Sequence, residues 1–409
     1  MNKRQIAALL ACSLVSWWVG SALMPLLPLY VQQLGAAPAI VGNYLAFIFL
    51  SLVFGTAGAG WLANRLQRRR ALIAGISLLA APATWGMGQV DQLWQLALLN
   101  AVTWMAGGAT LALVSILAGM YAAKGERGRL FGWLALTMAL ASVVGGLTAG
   151  PLVDGAGYPV LFTILAGLWL LQAVCACLLP DRPIAQGRDH LQQPTRANVR
   201  PQFSRAYTAL VVASFCLSLG NFVGILGRSL AMDAQGFSAS SITITVGISA
   251  GVTLVMNPLM GHLSDRYSRR LLLALIYAVA ALGVAWLAIA TRPPDFLAAS
   301  ILLALASTER AVGSALATDL LPPNLLDRGL SRFEAAKWIG AVLGLAGAGY
   351  AVQSVGLPAT LLLGAAFPLV AIGGLVWAAS ITRKDSADAH SINLAAPDDP
   401  AQRRPIIAQ

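Results

Sequence analysis

The sequence predicts an all-α polytopic membrane protein, with twelve transmembrane helices in two pseudo-symmetric six-helix bundles. Three observations carry that expectation. The 409 residues are 58% apolar and 11% charged, less than half the roughly 25% charge of a typical soluble protein. Twelve apolar runs approach or exceed the ~20 residues a helix needs to cross a hydrocarbon core of about 30 Å. The runs fall into two sets of six that share one repeat register. A disordered chain, a disulfide-stapled secreted scaffold and a water-soluble enzyme are excluded.

The first six spans are predicted at 6–31, 40–62, 71–89, 93–119, 130–153 and 158–179, and the second six at 206–230, 240–263, 271–290, 296–320, 333–354 and 357–381. The runs are rich in Ala, Leu and Gly and do not alternate, so they read as helices rather than the ~10-residue strands of a barrel. Lys3 and Arg4 precede the first run as they would a signal peptide. With no small-residue cleavage site and eleven further spans behind it, the run is expected to be a retained helix. Leu9-Leu10-Ala11-Cys12 is a poor lipoprotein box, because too few apolar residues precede it. The four cysteines, Cys12, Cys175, Cys177 and Cys216, all fall in apolar spans without a Cys-x-x-Cys pair and read as packing residues.

Residues 181–204 are the one long polar interruption. They divide the chain into an N-terminal bundle (1–180), a linker (181–204), a C-terminal bundle (205–381) and a polar tail (382–409). Of 27 basic residues, 24 lie on one side of the predicted membrane, spread over seven segments; Arg228 and Arg292 lie toward the other side and Arg310 inside a span. Basic loops stay cytoplasmic, so both termini are expected in the cytoplasm and the chain in the plasma, or inner, membrane. The net charge of +11 then reflects topology and anionic headgroups, and does not point to nucleic acid.

At an offset of 201 residues the halves repeat. Gly35 meets Gly236, Gly60 meets Gly261, and Arg65, Arg68 and Arg69 meet Arg266, Arg269 and Arg270; further on, Glu126-Arg127-Gly128 meets Asp327-Arg328-Gly329. Repeats of this kind build many secondary transporters, whose substrate sites lie near the bilayer midplane between them.

Gly60-Trp-Leu62-Ala-Asn64-Arg65-Leu-Gln-Arg68-Arg69 resembles the major facilitator superfamily loop signature G-x-L-x-D-R-x-G-R-R. The second copy, Gly261-His-Leu263-Ser-Asp265-Arg266-Tyr-Ser-Arg269-Arg270, is closer. Asn64 replaces the usual Asp, Gln67 and Ser268 replace Gly, and Asn100 stands where many proton-coupled members carry Arg. On span 5, Gly146-x-x-x-Gly150-Pro151-Leu-Val-Asp154-Gly155 resembles part of the family's antiporter motif, although Thr137 occupies the place of a further Gly. Small residues four apart let helix backbones approach. The resemblance, drug/proton antiporter-like, implies that spans 1, 2, 4, 5, 7, 8, 10 and 11 line a central cavity. Trp17, Trp18, Asn43, Tyr44, Asn100, Trp104, Met105, Asn221, Asn257 and Trp338 all fall on that set. It also implies a gate at the basic face, with Gly60, Asn64, Arg65, Arg68, Arg69, Arg127, Gly261, Asp265, Arg266, Arg269, Arg270 and Arg328 bridging the halves in one state and parting in another.

A charge inside the membrane costs roughly 2.5–3.5 kcal/mol on insertion scales. Glu309-Arg310 in span 10 therefore calls for a reason, and Glu309 is the one carboxylate deep inside a predicted span. Neighbours on a helix point about 100° apart, so each needs partners from elsewhere. Glu309 is expected to act as coupling or cation-binding group, with Arg310 as its modulator or an anion contact. The structural alternative is a buried ion-pair network tying helices 10, 7 and 11 together. The three histidines lack metal-ligand spacing, and with no Walker loop or cofactor motif no cofactor is expected. The leading expectation is a monomeric secondary transporter exporting amphipathic compounds by alternating access in exchange for protons or another coupling ion. A sugar or metabolite transporter is the alternative, and a membrane enzyme or receptor a distant third that lacks its cluster of catalytic groups.

Overall fold

A computed structural model describes residues 3–66, 68–121, 127–179, 203–322 and 325–395. Its regular elements are α-helices, with no strand among the described residues. Span 1 is built from α1 (Lys3–Leu23) and α2 (Leu27–Gln33). The interruption follows from Pro25 and Pro28, which supply no N–H to a helical ladder. Spans 2 to 4 are α3 (Pro38–Leu66), α4 (Arg69–Gly86) and α5 (Leu93–Tyr121). Spans 5 and 6 run together as α6 (Arg127–Ala176), reversed at Gly157, whose φ of 81° and ψ of 170° a side chain would strain.

The second half follows the same plan. Spans 7 to 9 are α7 (Arg205–Ala234), α8 (Ala239–Arg266) and α9 (Arg269–Leu287). Span 10 is broken into α10 (Pro293–Ala306) and α11 (Glu309–Leu320), then α12 (Leu326–Val355) and α13 (Leu357–Ala395) complete the set. Among the described residues ten stretches are long and apolar enough to cross a membrane; one of them is α6, which crosses twice, and α4 with 18 residues adds the twelfth crossing. The repeat is visible in the backbone. Gly35 and Gly236, 201 residues apart, both adopt positive φ, at 83° and 76°, in the turn that leads into the next span.

Three of the sequence expectations change in detail. Spans 1 and 10 are each two helices rather than one. The helix carrying span 12 continues to Ala395, past the predicted end at 381. Lys337, counted by sequence among the basic flanks, sits three turns into α12 with its side chain only 13% exposed.

The cores explain how the halves meet. One apolar cluster gathers Tyr158, Phe162 and Trp169 with Leu26, Leu45, Leu226, Leu230, Leu345 and Ala348, so it draws on both halves. Two others lie toward the face bearing the basic loops, and each belongs to one half. Leu9, Ile73, Leu113 and Leu134 form the first, and Leu210, Ile276, Leu316 and Phe333 the second. Apolar burial is the dominant attraction that closes one element on another. A shared core at the outer face and separate cores at the basic face make a two-lobed body joined outside, with a cleft opening toward the basic face.

Candidate functional site

Glu309 is the first residue of α11, is 3% exposed, and lies where span 10 breaks. Its Oε2 pairs with Lys337 Nζ of α12 at 2.9 Å, and its Oε1 accepts a hydrogen bond of 2.8 Å from Ser214 Oγ of α7. Ser214 lies 3.3 Å from the Tyr277 hydroxyl of α9. Lys337 also approaches Glu334 Oε1 at 3.5 Å, and its ammonium stands 5.1 Å from the centre of the Phe333 ring. Spans 7, 10 and 11 are thus fastened through one carboxylate. This is the network the structural alternative described, and its partner lysine is what sequence reading missed. The signal was available, since residue 337 lies within the predicted span 333–354.

Space for the carboxylate comes from Gly313, one turn along α11. A Cβ there would lie 2.6 Å from Glu309 Oε1 and 3.1 Å from the Phe333 ring. Gly313→Ala is therefore expected to displace the carboxylate and destabilise the fold by about 1–3 kcal/mol, the usual range for overpacking. A lowered melting midpoint of the purified protein, without loss of insertion, checks it.

The repeat makes the asymmetry plain. Ser214 corresponds to Ser13, but Glu309 corresponds to Gly108 and Lys337 to Leu136. In the first half the equivalent ground holds neutral contacts: Ser13 Oγ with Thr137 Oγ1 at 2.8 Å, and Gln172 joined to Ser16, Ser77 and Thr110.

Next to Lys337, Trp338 belongs to an aromatic group drawn from both halves. The Phe49 ring lies 4.9 Å from Trp104, 5.1 Å from Phe222 and 6.0 Å from Trp338. Trp104 Nε1 and Asn221 Oδ1, the latter next in the chain to Phe222, are buried without a hydrogen-bond partner among the described residues. The other expected lining residues are placed differently. Tyr44 and Asn100 are buried and bonded to each other at 2.7 Å rather than opened to the cleft. Asn43 lies near the outer end of α3 and donates to the Tyr350 hydroxyl of α12 at 2.9 Å. Trp17 and Trp18 are half-buried, and Asn257 and Met105 exposed.

Arg310 points differently from Glu309. It is exposed and has no ion-pair partner among the described residues.

The antiporter-like residues touch the other half. A Cβ on Gly146 would fall 2.5 Å from Gly247 Cα of α8, and one on Gly150 would fall 2.4 Å from Ala239 O. Gly150 N donates to Thr243 Oγ1 at 3.1 Å. Asp154 accepts from Ala239 N at 3.1 Å and Ser240 N at 2.8 Å, a carboxylate from one half on the first turn of a helix in the other. Helix N-termini favour negative charge. Pro151 lies exposed beside Trp18 on a groove of about 470 Å³ between α1 and α6. On a second line of contact, a Cβ on Gly42 would meet Leu345 O at 2.5 Å and Gly349 Cα at 2.8 Å.

At the basic face, the ion pairs among the described residues run within the second half. Arg269 pairs with Asp265 of α8 and with Asp319 of α11, and bonds the Ser264 and Ala315 carbonyls. The repeat equivalents of those two acids are Asn64 and Ala118, and that of Arg269 is the exposed Arg68; the next residue, Arg69, is buried with its Nε unbonded among the described residues. Arg65 lies over the Trp61 ring, and Arg68, Arg266 and Arg328 are exposed, with Arg270 half-buried. Gly60 and Gly261 both have open space where a Cβ would be. The side chains of Asn64, Arg127 and Asp327, and residue Glu126, lie outside the described residues, as does most of the 181–204 linker.

A sequence profile described as Major Facilitator Superfamily matches residues 9–227 and again 208–407. The chain belongs to the Major Facilitator Superfamily. This is a family of transporters rather than enzymes, and its members carry small molecules across membranes. Multidrug resistance protein MdtG of Serratia proteamaculans is 27% identical over 278 residues, which cover 64% of this chain and 66% of that protein. The multi-drug resistance efflux pump PmrA homolog of Lactococcus lactis is 25% identical over 277 residues, 63% of this chain and 67% of that protein. The matches thus span about two thirds of these relatives. A bacterial homolog of the human lysosomal transporter Spinster, in an inward-facing, unoccupied conformation, superposes with a TM-score of 0.76 at 14% identity, covering 94% of this chain and 99% of that one. The nucleoside transporter NupG superposes with a TM-score of 0.73 at 16% identity, covering 92% and 99%. At such identities these two report the superfamily fold alone.

Proposed function

We propose that this Major Facilitator Superfamily protein is a proton-coupled exporter of amphipathic compounds, a monomer in the inner membrane with both termini in the cytoplasm. The observation that carries the reading is the Glu309–Lys337 pair, a titratable group within a mid-membrane ion pair beside an aromatic group shared by the halves. A proton taken by Glu309 removes the counter-ion of Lys337, which has Glu334 within 3.5 Å as its next partner. Protonation therefore changes the contacts between α11 and α12, as a two-state coupling device requires. With the basic face cytoplasmic, the cleft is open inward and the outer face closed, the state in which an exporter loads.

The relatives named for multidrug resistance and efflux support the direction. The aromatic group supports an amphipathic cargo, because aromatic faces bind ring systems without a fixed hydrogen-bond pattern. Asn43 and Asn100 are already bonded to Tyr350 and Tyr44, which leaves fewer amides for a sugar. Adding amphipathic compounds to vesicles carrying the reconstituted protein is expected to move protons in the direction opposite to the compound, and sugars are expected to move none. Sugar-driven proton movement with silent amphipathic compounds would replace this reading by the metabolite alternative.

A further inference from the structure

The face of α11 that avoids Glu309 is polar although it lies in the membrane region. Ser307, Arg310, Ala311 and Thr318 are exposed and Ser314 half-exposed, all on one side of the helix. Glu309, Val312, Gly313, Leu316 and Ala317 are buried on the other. Lipid-facing surfaces of this protein look different: the exposed residues of α9 are Leu271, Leu275, Ala278, Leu282 and Trp286. A stripe of hydroxyls and a guanidinium does not suit acyl chains. The buried side of α11 meets α7, α9 and α12 through Ser214, Arg269 and Lys337. The polar stripe therefore faces the cleft.

Arg310 stands on that stripe, ten residues from the basic end of span 10, with no ion-pair partner among the described residues. The charges around it do not neutralise it. Glu309 is held by Lys337 and turned away, and the predicted spans of the first half contain no Asp or Glu. Counted together, Glu309, Glu334, Lys337 and Arg310 sum to zero, but both carboxylates are drawn to Lys337, which leaves the Arg310 guanidinium without a carboxylate of its own among the described residues. A guanidinium at such depth is costly, and its fork matches a carboxylate, sulfonate or phosphonate.

We infer that Arg310 is the substrate's charge partner, and that the cargo is an amphipathic anion: an acidic group paired with Arg310 and an apolar or aromatic body lying against the half-buried Trp338 and Phe222, which the buried Phe49 and Trp104 back. This rests on the transport reading and narrows its substrate class. It assigns Glu309 and Arg310 different tasks although they adjoin in sequence. Glu309 handles the proton behind the helix, and Arg310 handles the cargo in front.

The test is equilibrium binding to the purified full-length protein, so it does not depend on coupling. Tritiated 2-naphthalenesulfonate is the probe, and 2-naphthyltrimethylammonium, with the same ring and opposite charge, is the competitor. The sulfonate is expected to bind at least ten-fold tighter than the ammonium compound. R310Q is expected to lose ten-fold or more in sulfonate affinity and R310K three- to ten-fold, since lysine keeps the charge without the fork, while E309Q keeps the sulfonate preference. Should R310Q not fold, R310K carries the comparison. An ammonium compound that binds as tightly as the sulfonate would overturn the inference, as would sulfonate affinity unmoved by substitution of Arg310. Failure of proton-linked flux with this binding pattern intact would instead remove the antiport reading and leave the anion site standing.

Discussion

Glu309→Gln is expected to abolish pH-driven flux in proteoliposomes while the protein still inserts and is recovered intact from the membrane. The amide is nearly isosteric and can accept the Ser214 hydrogen bond at Oε1, but it neither binds a proton nor balances Lys337. Removing one partner of a buried pair leaves an uncompensated charge, at a cost of about 3–5 kcal/mol where the remaining group has no other counter-ion. Here Glu334 stands 3.5 Å from the same ammonium, so the loss is expected below that range. The double substitution E309Q/K337M removes both charges and is expected to regain thermal stability relative to E309Q, because a neutral pair in this setting is often no worse than the ionic one. It is not expected to regain coupling. That combination of recovered melting and absent flux is the signature of a group that does more than hold helices together. Wild-type flux in E309Q would discard Glu309 as the coupling group.

How legible all this was differs between fold and site. The twelve crossings were readable because each apolar run must satisfy its own backbone hydrogen bonds in lipid, which leaves helix as the solution. The breaks in spans 1 and 10 were harder. Pro25 and Pro28 announce the first, but no proline or glycine stands between Ala306 and Glu309. There the chain tightens into short-range bonds, Ser307 N to Ala304 O and Thr308 N to Leu305 O. Glu309 and Arg310 were visible as misplaced charges, but their separate directions were not, since hydropathy averages over all faces of a helix. Lys337 was hidden by proximity to Arg328 and Arg332, which made it look like one more basic flank. Tyr44 and Asn100 illustrate the opposite limit. Membership of a cavity-lining span does not say which face a residue occupies, and these two bond to each other inside the first half, with Asn100 Oδ1 left without a partner among the described residues.

The glycines of span 5 lead to the second large effect. Gly150→Leu is expected to hold the outer face open and reduce transport at least ten-fold. A Cβ alone would lie 2.2 Å from Thr243 Oγ1, 2.4 Å from Ala239 O and 2.5 Å from Ser240 Cα, the last two being backbone of the opposing half that cannot rotate away. Overpacking costs about 1–3 kcal/mol, and every 1.4 kcal/mol shifts a two-state ratio ten-fold. The same substitution weakens the neighbouring contacts of Asp154 with Ala239 N and Ser240 N, so the penalty falls on the outer-closed state specifically. Gly42→Leu acts on the second line of contact, against Leu345 and Gly349, and is expected to produce the same phenotype. Gly155→Leu is the control, with open space around its Cβ. The measurement is labelling by a membrane-impermeant maleimide of Ala348→Cys, a position 3% exposed in the shared core, after replacement of the four native cysteines. Labelling from outside should rise about ten-fold in the two leucine variants and stay flat in the control. If labelling and transport are both unchanged by Gly150→Leu, closure of the glycine seam is not a step of the transport cycle, and the joined outer face is a fixed hinge rather than a gate.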